Sequence, residues 1–311
     1  MKGLHLLTWE WRNIGDHMPM IAEYGWDWVQ TSVVQPCKEL WTDNGRIEKY
    51  SHEWWNEVYK TWWKMYQITD FSIGNHFGIK DDFIYMCEQA HKYGIKIITD
   101  IVCRHIAVDS PSVNKELLQY IKPNQFEINN YHDRWQEING MTGGLVMLDY
   151  NNADLQNNHI LPFLQELLQY CDGLRLDQMR HISLPSEGGT FFSNVIGQLP
   201  KDKFYYGEAI EFSQPHLLKE YEQYMIPILK YEECWEHKNR IAFCESHDTC
   251  LSFMYSLHMT PQQRINGYAE CLKRYPHALY YARQDDTTIF SEEIKTLNNS
   301  RHSDINMLLY Y

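Results

Sequence analysis

Short runs of Leu, Ile, Val and aromatic residues alternate with helical periodicity along almost the whole chain, and this alternation limits the fold more than any other feature. The strand-like runs are GLHLLTW, WDWVQTSV, GIKIITDIV, DGLRLD, KFYYGEAI and RIAFCES, and two more strands are expected near 225–230 and 278–290. Between most of them lie the helical stretches DHMPMIAEYG, KDDFIYMCEQAHKYG, HILPFLQELLQY, GGTFFSNVIGQL, PHLLKEYEQY and TPQQRINGYAECLKRY. In the second of these, Phe83, Ile84, Cys87, Ala90 and Tyr93 recur at helical spacing, and Gly94 supplies a stop. A helix between two strands returns the chain to the same end of the sheet, so the strands pair in parallel. Eight such units predict a (β/α)8 barrel. The rival is a doubly wound sheet, which the lack of a glycine-rich turn after the first strand disfavours.

One connection breaks the rhythm. From Arg104 to Leu148 the periodicity weakens while Pro, Asn and Gly accumulate. A stretch this long reads as a subdomain or functional lid rather than a structureless loop. The expected organisation is therefore a barrel over 1–103 and 149–311, with an inserted subdomain over 104–148 after the third strand.

Composition then removes whole classes of function. Lys and Arg number 28 against 41 Asp and Glu, a net charge of −13. That balance argues against nucleic acid or an anionic membrane as partner, since both need a basic face. No apolar run approaches the ~20 residues of a membrane span. The start, MKGLHLLTWEW, lacks the apolar stretch and cleavage site of a signal peptide, so a cytoplasmic protein is expected. Its eight scattered cysteines, with no CxxC pair, are then expected to be reduced and buried. Nine of the eleven tryptophans precede residue 64, and this crowding of flat rings points toward a ligand surface.

The polar residues gather at strand ends. Asp100, Arg104 and His105 close the third strand, Arg175 and Asp177 the fourth, Glu208 the fifth, and His247 and Asp248 the penultimate one. In an α/β barrel these ends converge on one mouth, which holds the active site. Three acids from different strands around one cleft suit glycoside chemistry: one attacks or stabilises the sugar cation, another protonates the leaving oxygen. Arg175, two residues before Asp177, shares its face and can hold that carboxylate ionised.

At this point the segments resemble those of the α-amylase family, glycoside hydrolase family 13. DIVCRH resembles the family's first region, D-x-x-x-N-H, and GLRLDQMRH its second, G-x-R-x-D-x-x-(K/R)-H. FYYGEA resembles the third and CESHDT the fourth, in the same order and spacing. Upstream, GLHLLTWEW, VQTSVVQP and WWKMYQITDFSIG are closest in pattern to animal- and actinomycete-type amylases. The resemblance implies Asp177 as nucleophile, Glu208 as general acid and then base, and Asp248 as the third acid, which binds sugar hydroxyls. It implies further that Arg175 hydrogen-bonds the nucleophile with Asp100 holding the arginine. His105 and His247 would bind the sugar at the cleaved bond, Tyr66 would stack on it, Trp63 would line the neighbouring donor site, and Arg180 and His181 would face the acceptor side. Trp62 reads as core.

The departures from the family pattern carry expectations of their own. Where the family has an Asn that ligates calcium between barrel and excursion, this chain has Arg104, although Asp149 in GGLVMLDYNNADLQ matches another calcium ligand. The expectation is a cation exchanged for a cation, with Arg104 paired to Asp149 or a nearby carboxylate and no metal or other cofactor. Ser246 and Thr288 stand where chloride-activated relatives have Asn and Arg, so chloride is not expected either. After EEIKTLNNSRHSDINMLLYY the chain stops, and the β-sandwich that usually follows is expected to be absent.

The reading is a cytoplasmic, retaining α-glucan hydrolase acting on α-1,4 bonds of starch, glycogen or maltooligosaccharides. Two alternatives stand beside it: an α-glucanotransferase with the same site, and an inactive sugar-binding or scaffold barrel. The partner is the glucan or oligosaccharide, with homo-oligomer formation left open.

Overall fold

The computed structural model describes residues 1–38, 61–210, 212–233, 238–248, 259–282 and 286–300. Eight strands close into a barrel: β1 (Lys2–Leu6), β2 (Trp28–Val33), β3 (Lys96–Ile101), β4 (Gly173–Leu176), β5 (Phe204–Glu208), β6 (Ile226–Lys230), β7 (Ile241–Phe243) and β8 (His277–Tyr281). Each pairs in parallel with the next, and β8 returns to β1 through Lys2 opposite Ala278 and His5 opposite Tyr281. The (β/α)8 architecture read from the alternation is the one present. Only the last strand differs: it ends at Tyr281, and Thr288 lies in a 3-10 turn, Thr287–Phe290, rather than on the strand. There its hydroxyl meets Tyr280 Oη at 2.6 Å, so Thr288 does not occupy the last-strand position expected of it.

Local chemistry explains the helices that wrap this barrel. Helix α1 (Lys80–Lys92) has Asp81 and Asp82 in its first turn and His91 and Lys92 in its last, the signs that suit its dipole. Asp82 accepts the Ile79 N–H at 3.2 Å, and Gly94 follows with φ +71°, a conformation glycine adopts without steric cost. Helix α2 (Pro261–Arg274) starts with Thr260 and Gln263 capping each other's backbone at 3.3 and 2.8 Å.

Strand alternation sorts the barrel interior into two levels. Ile98, Trp28 and Tyr206 pack with Ile228, Ile241, Phe243 and Leu279 as an apolar plug. Two residues further along the same faces come Asp100, Gln30 and Glu208. The Trp28 indole is fully buried and fits because position 3 is glycine, where a Cβ would sit 2.2 Å from its ring. Burying a large apolar side chain contributes roughly 1.5–3 kcal/mol, so this plug is part of what closes the barrel.

The tryptophan expectation needs correcting. Trp11, Trp26, Trp28 and Trp62 are buried, and of the early tryptophans only Trp63, at 41 %, is widely exposed among the described residues. Trp41, Trp54 and Trp55 lie outside them. Most of the described rings are therefore packing, because a wide barrel interior and its helix interfaces need large side chains to fill them. The six described cysteines are all buried free thiols; Cys234 and Cys250 lie outside the described residues.

The excursion leaves β3 and is closed at its base by an antiparallel pair, His105–Ile106 against Val146–Met147. It carries a 3-10 segment, Lys115–Tyr120, and the helix Arg134–Asn139. No helix among the described residues is long and apolar enough to cross a membrane.

Candidate active site

Barrel geometry aims the ends of β3, β4 and β5 at one point, and Arg175 occupies it. Its Nη1 donates to Asp100 Oδ1 and Oδ2 at 2.9 and 3.1 Å and to Asp177 Oδ1 at 2.8 Å. Its Nη2 lies 3.0 Å from Glu208 Oε2. One guanidinium thus touches three carboxylates from three strands, in a site where Arg175 and Asp100 are almost wholly shielded from solvent. Asp248, after β7, completes the acid set next to His247, with Nε2 to Oδ2 at 3.3 Å.

A second layer holds these groups in place. Tyr66 Oη donates to Asp100 Oδ2 at 2.9 Å and lies 3.1 Å from His247 Nε2. Its ring stacks on His247 at 5.4 Å and lies under the Arg175 guanidinium at 5.8 Å, leaving only 5 % of the residue exposed. Tyr66 is therefore a support for Asp100 and His247 rather than an open stacking platform. His105 is buried with Nε2 2.8 Å from the Tyr66 carbonyl, while its Nδ1 has no protein partner among the described residues. Trp62 packs edge-on against His247 at 4.7 Å, so its reading as core is right but its neighbour is the site. Trp63, the next residue, is widely exposed.

Burial and neighbouring charge set the protonation pattern. Burial pushes Asp177 well up, with Glu208, Asp100 and Asp248 adding to the rise and Arg175 opposing it. Burial acts the same way on Glu208, but Arg175, the Gln178 N–H, Arg180 and a hydrogen bond with Asp177 outweigh it and hold Glu208 below its ordinary value. Asp100 is pushed up to about 6 and Asp248 to about 7, burial being the first cause of each. With four carboxyls gathered around Arg175, burial and their mutual repulsion raise Asp177 while Glu208 is held down by its donors. Burial also lowers the buried histidines, His105 to about 4 and His247 well below its usual range, so both rings are neutral donors or acceptors at pH 7.

Arg180 and His181 sit where the excursion meets the barrel. Arg180 donates Nε to His181 Nε2 at 3.2 Å and Nη1 to the Ile210 carbonyl at 2.5 Å. His181 is buried, and its Nδ1 lies 3.0 Å from the Glu137 carbonyl. Both ring nitrogens of His181 are occupied by protein, so a direct sugar contact from this side chain is not what the structure displays. Its position ties helix Arg134–Asn139 to the turn after β4. Arg180 also stands over the half-exposed Tyr131 ring at 5.9 Å.

Arg104 is fully buried at the same seam. It donates Nε to the His181 carbonyl at 3.3 Å, Nη1 to Gln178 Oε1 at 3.2 Å and Nη2 to the Glu137 carbonyl at 3.4 Å. Nη2 also meets the Gly140 carbonyl and, at 3.5 Å, Met147 Sδ. The expected pairing with Asp149 is not present. Asp149 uses its backbone, accepting from the Asn152 N–H at 2.8 Å and donating to the Tyr120 carbonyl at 2.7 Å. No carboxylate lies within salt-bridge distance of it among the described residues, so the guanidinium keeps its desolvation cost, and burial lowers Arg104 to about 10. The oxygens of His181, Gln178, Glu137 and Gly140 that face this guanidinium already accept from it, so those four do not stand open to a calcium ion beside it.

Several participants escaped the sequence reading. Gln30 accepts from Tyr206 Oη at 2.7 Å and reaches toward Asp100 at 3.5 Å, and His5 lies 3.3 Å from Gln30 and edge-on to His247. Their one available signal was polarity inside apolar strands, GLHLL and WVQTS. Gln178 gave none.

Comparison with known proteins agrees with this fold. The family of α-amylase catalytic domains matches residues 51–260. An α-amylase of Butyrivibrio fibrisolvens is 29 % identical over 254 residues, covering 71 % of this chain and 25 % of that protein. One of Clostridium acetobutylicum is 28 % identical over 240 residues, covering 71 % and 29 %. The matched part of this chain thus spans less than a third of either relative. Among solved structures, the α-amylase of Geobacillus thermoleovorans complexed with acarbose superposes with a TM-score of 0.71 at 18 % identity, covering 97 % of this chain and 78 % of that one. The α-amylase I of Eisenia fetida gives 0.68 at 18 % identity, covering 91 % and 66 %. With the family model covering most of the chain, a closed eight-stranded barrel beneath it and acids at the strand ends, the chain belongs to the α-amylase family of glycoside hydrolases, family 13.

Proposed function

We propose that this chain hydrolyses α-1,4-glucosidic bonds of starch- or glycogen-type glucans, or of maltooligosaccharides, by double displacement with retention. The observation that carries the reading is Arg175 bridging Asp177 and Glu208 through its two terminal nitrogens at 2.8 and 3.0 Å. Two carboxyls on one guanidinium fork belong with the ~5 Å separation of retaining enzymes rather than the ~9 Å that leaves room for an inverting water.

In the working cycle Asp177 attacks the anomeric carbon as a carboxylate, forming a glycosyl ester as the bond to the leaving oxygen breaks. Glu208 gives its proton to that oxygen. Glu208, now ionised, then takes a proton from the water that cleaves the ester, which restores both carboxyls. The free site favours the proton on Asp177, the reverse of this assignment. Because the two groups share a hydrogen bond, substrate entry needs to move only one proton across it to reach the working state. Asp248 takes sugar hydroxyls, and Asp100 and Tyr66 hold Arg175 and His247. Trp63 supplies the ring for a sugar further out, and Arg104 replaces calcium at the seam.

Steady-state assay of the pure chain on soluble starch and maltohexaose, with products resolved by anomeric configuration, tests this. Release of α-configured sugars supports it. Transfer products in place of hydrolysis would convert the reading to a glucanotransferase, and no turnover with retained binding would convert it to a sugar-binding barrel.

A further inference from the structure

Gln178 follows the proposed nucleophile and holds φ +50°, left-handed backbone that costs a non-glycine residue roughly 1–2 kcal/mol. Such strain persists only where surrounding contacts hold it. Here they come from two sides. The side-chain Oε1 accepts from Arg104 Nη1 at 3.2 Å, and the Gln178 carbonyl accepts the His181 N–H at 2.9 Å. With both ends held, the Gln178 N–H points at Glu208 Oε2 and donates to it at 3.0 Å. The next residue, Met179, packs so tightly on β5 that a Cβ at Gly207 would lie 2.3 Å from its Sδ. The glycine before Glu208 is what lets this turn approach the carboxyl.

We infer that Gln178 is a positioning residue for Glu208, and that Arg104, by clamping its amide, ties the seam between barrel and excursion to the placement of the proton-transferring carboxyl. The inference deepens the proposed hydrolase reading and takes its roles from it. The groups facing Glu208 are Arg175 and Asp177 from β4, Arg180 from the turn after it, Asp100 from β3 and Asp248 after β7. Of these contacts, the Gln178 N–H is the one set by a strained peptide rather than by a charged side chain. A donor to the ionised form lowers a carboxyl's pKa, so its loss raises it.

The test compares Gln178→Ala, which loses the clamp and keeps the steric cost, with Gln178→Asn, which keeps an amide and tolerates the left-handed region. Glu208 is titrated by carboxyl carbon NMR, assigned with Glu208→Gln, alongside kcat and KM on maltohexaose. Gln178→Ala should titrate roughly half a pH unit or more above wild type and lose about tenfold in kcat at near-constant KM, with Gln178→Asn restoring most of both. If the alanine variant does not fold, Gln178→Gly, which accepts positive φ, should show a smaller shift in the same direction. An unchanged Glu208 titration in whichever variant folds overturns the inference, even if melting temperature falls. Wild-type protein that cleaves no glucan would defeat the hydrolase reading instead, leaving the titration to decide the role of Gln178.

Discussion

Two buried arginines organise this molecule, and they do so in opposite electrostatic settings. Arg175, at the barrel mouth, is ringed by Asp100, Asp177 and Glu208, and their charges hold its proton far more tightly than usual despite burial. Arg104, at the seam with the excursion, is ringed by neutral carbonyl and amide oxygens and a thioether. The first arrangement concentrates charge that chemistry can use. The second satisfies polar atoms that would otherwise be buried without partners. A cation surrounded by anions tunes reactivity, whereas a cation surrounded by dipoles fastens one segment to another.

If that division is right, changes at the mouth should remove rate and spare stability. Asp177→Asn should lower kcat by about four orders of magnitude or more, because a neutral amide cannot form the ester. Its unfolding midpoint should stay near wild type, since it replaces a carboxyl that burial already disfavours in charged form. Substantial starch cleavage by the pure variant would sink the nucleophile assignment.

Changes at the seam should do the reverse. Arg104→Met strips the donors from several buried oxygens at once, and breaking such a set costs on the order of 3 kcal/mol or more. Denaturant unfolding should show the loss, with residual activity surviving in the folded fraction. A variant as stable as wild type would mean water takes over these oxygens and the two arginines are not contrasted in this way.

A smaller effect belongs to the rim. Trp63, being widely exposed, should contribute binding that is equal in ground and transition states, so Trp63→Ala should raise KM roughly several-fold and leave kcat nearly unchanged. Tyr66→Phe, by contrast, should act on kcat, since it removes the donor to Asp100 but keeps the ring. Equal effects of the two on KM would make Tyr66 a platform after all.

Stability against pH sharpens the picture of the mouth. Burial, with Glu208 beside it, pushes Asp248 up to about 7 in the folded chain from its ordinary 3.8. The folded state then binds more protons than the unfolded one between those limits. This group's contribution is full below pH 3.8 and is lost as pH rises toward 7. Asp248→Asn lacks that loss, so its melting temperature minus that of wild type should climb between pH 4 and 7. A flat difference would show that Asp248 is not held in its neutral form by burial. The smallest expected effect is none: with a guanidinium at the seam, chelator should leave the melting temperature unchanged. A drop reversed by calcium would place a metal at the seam.

Much of the architecture was legible because it rests on periodicity. Strand runs of GIKIITDIV or DGLRLD type, with helices between, encode a parallel sheet, the count of eight favours its closure, and that closure brings Asp100, Arg175, Asp177 and Glu208 to one mouth. The long aperiodic stretch after β3 likewise announced an insertion. What local sequence does not hold is where a side chain's polar atoms finish. The resemblance made Tyr66 an open ring and it became a buried donor, the crowding of early tryptophans pointed to a ligand surface and Trp28 among them became part of the plug, and His181 spends both nitrogens inside the protein.

The sequence by itself thus determined the barrel, the strand-end placement of the acids and the family, since each depends on pattern and order along the chain. Only the tertiary structure decided that Arg104 takes carbonyls rather than Asp149, and that Gln178 bends its backbone toward Glu208. Those outcomes depend on which of several competing partners lies within about 3 Å once remote segments have packed, because hydrogen bonds weaken steeply with distance and angle. No spacing in the chain encodes that choice.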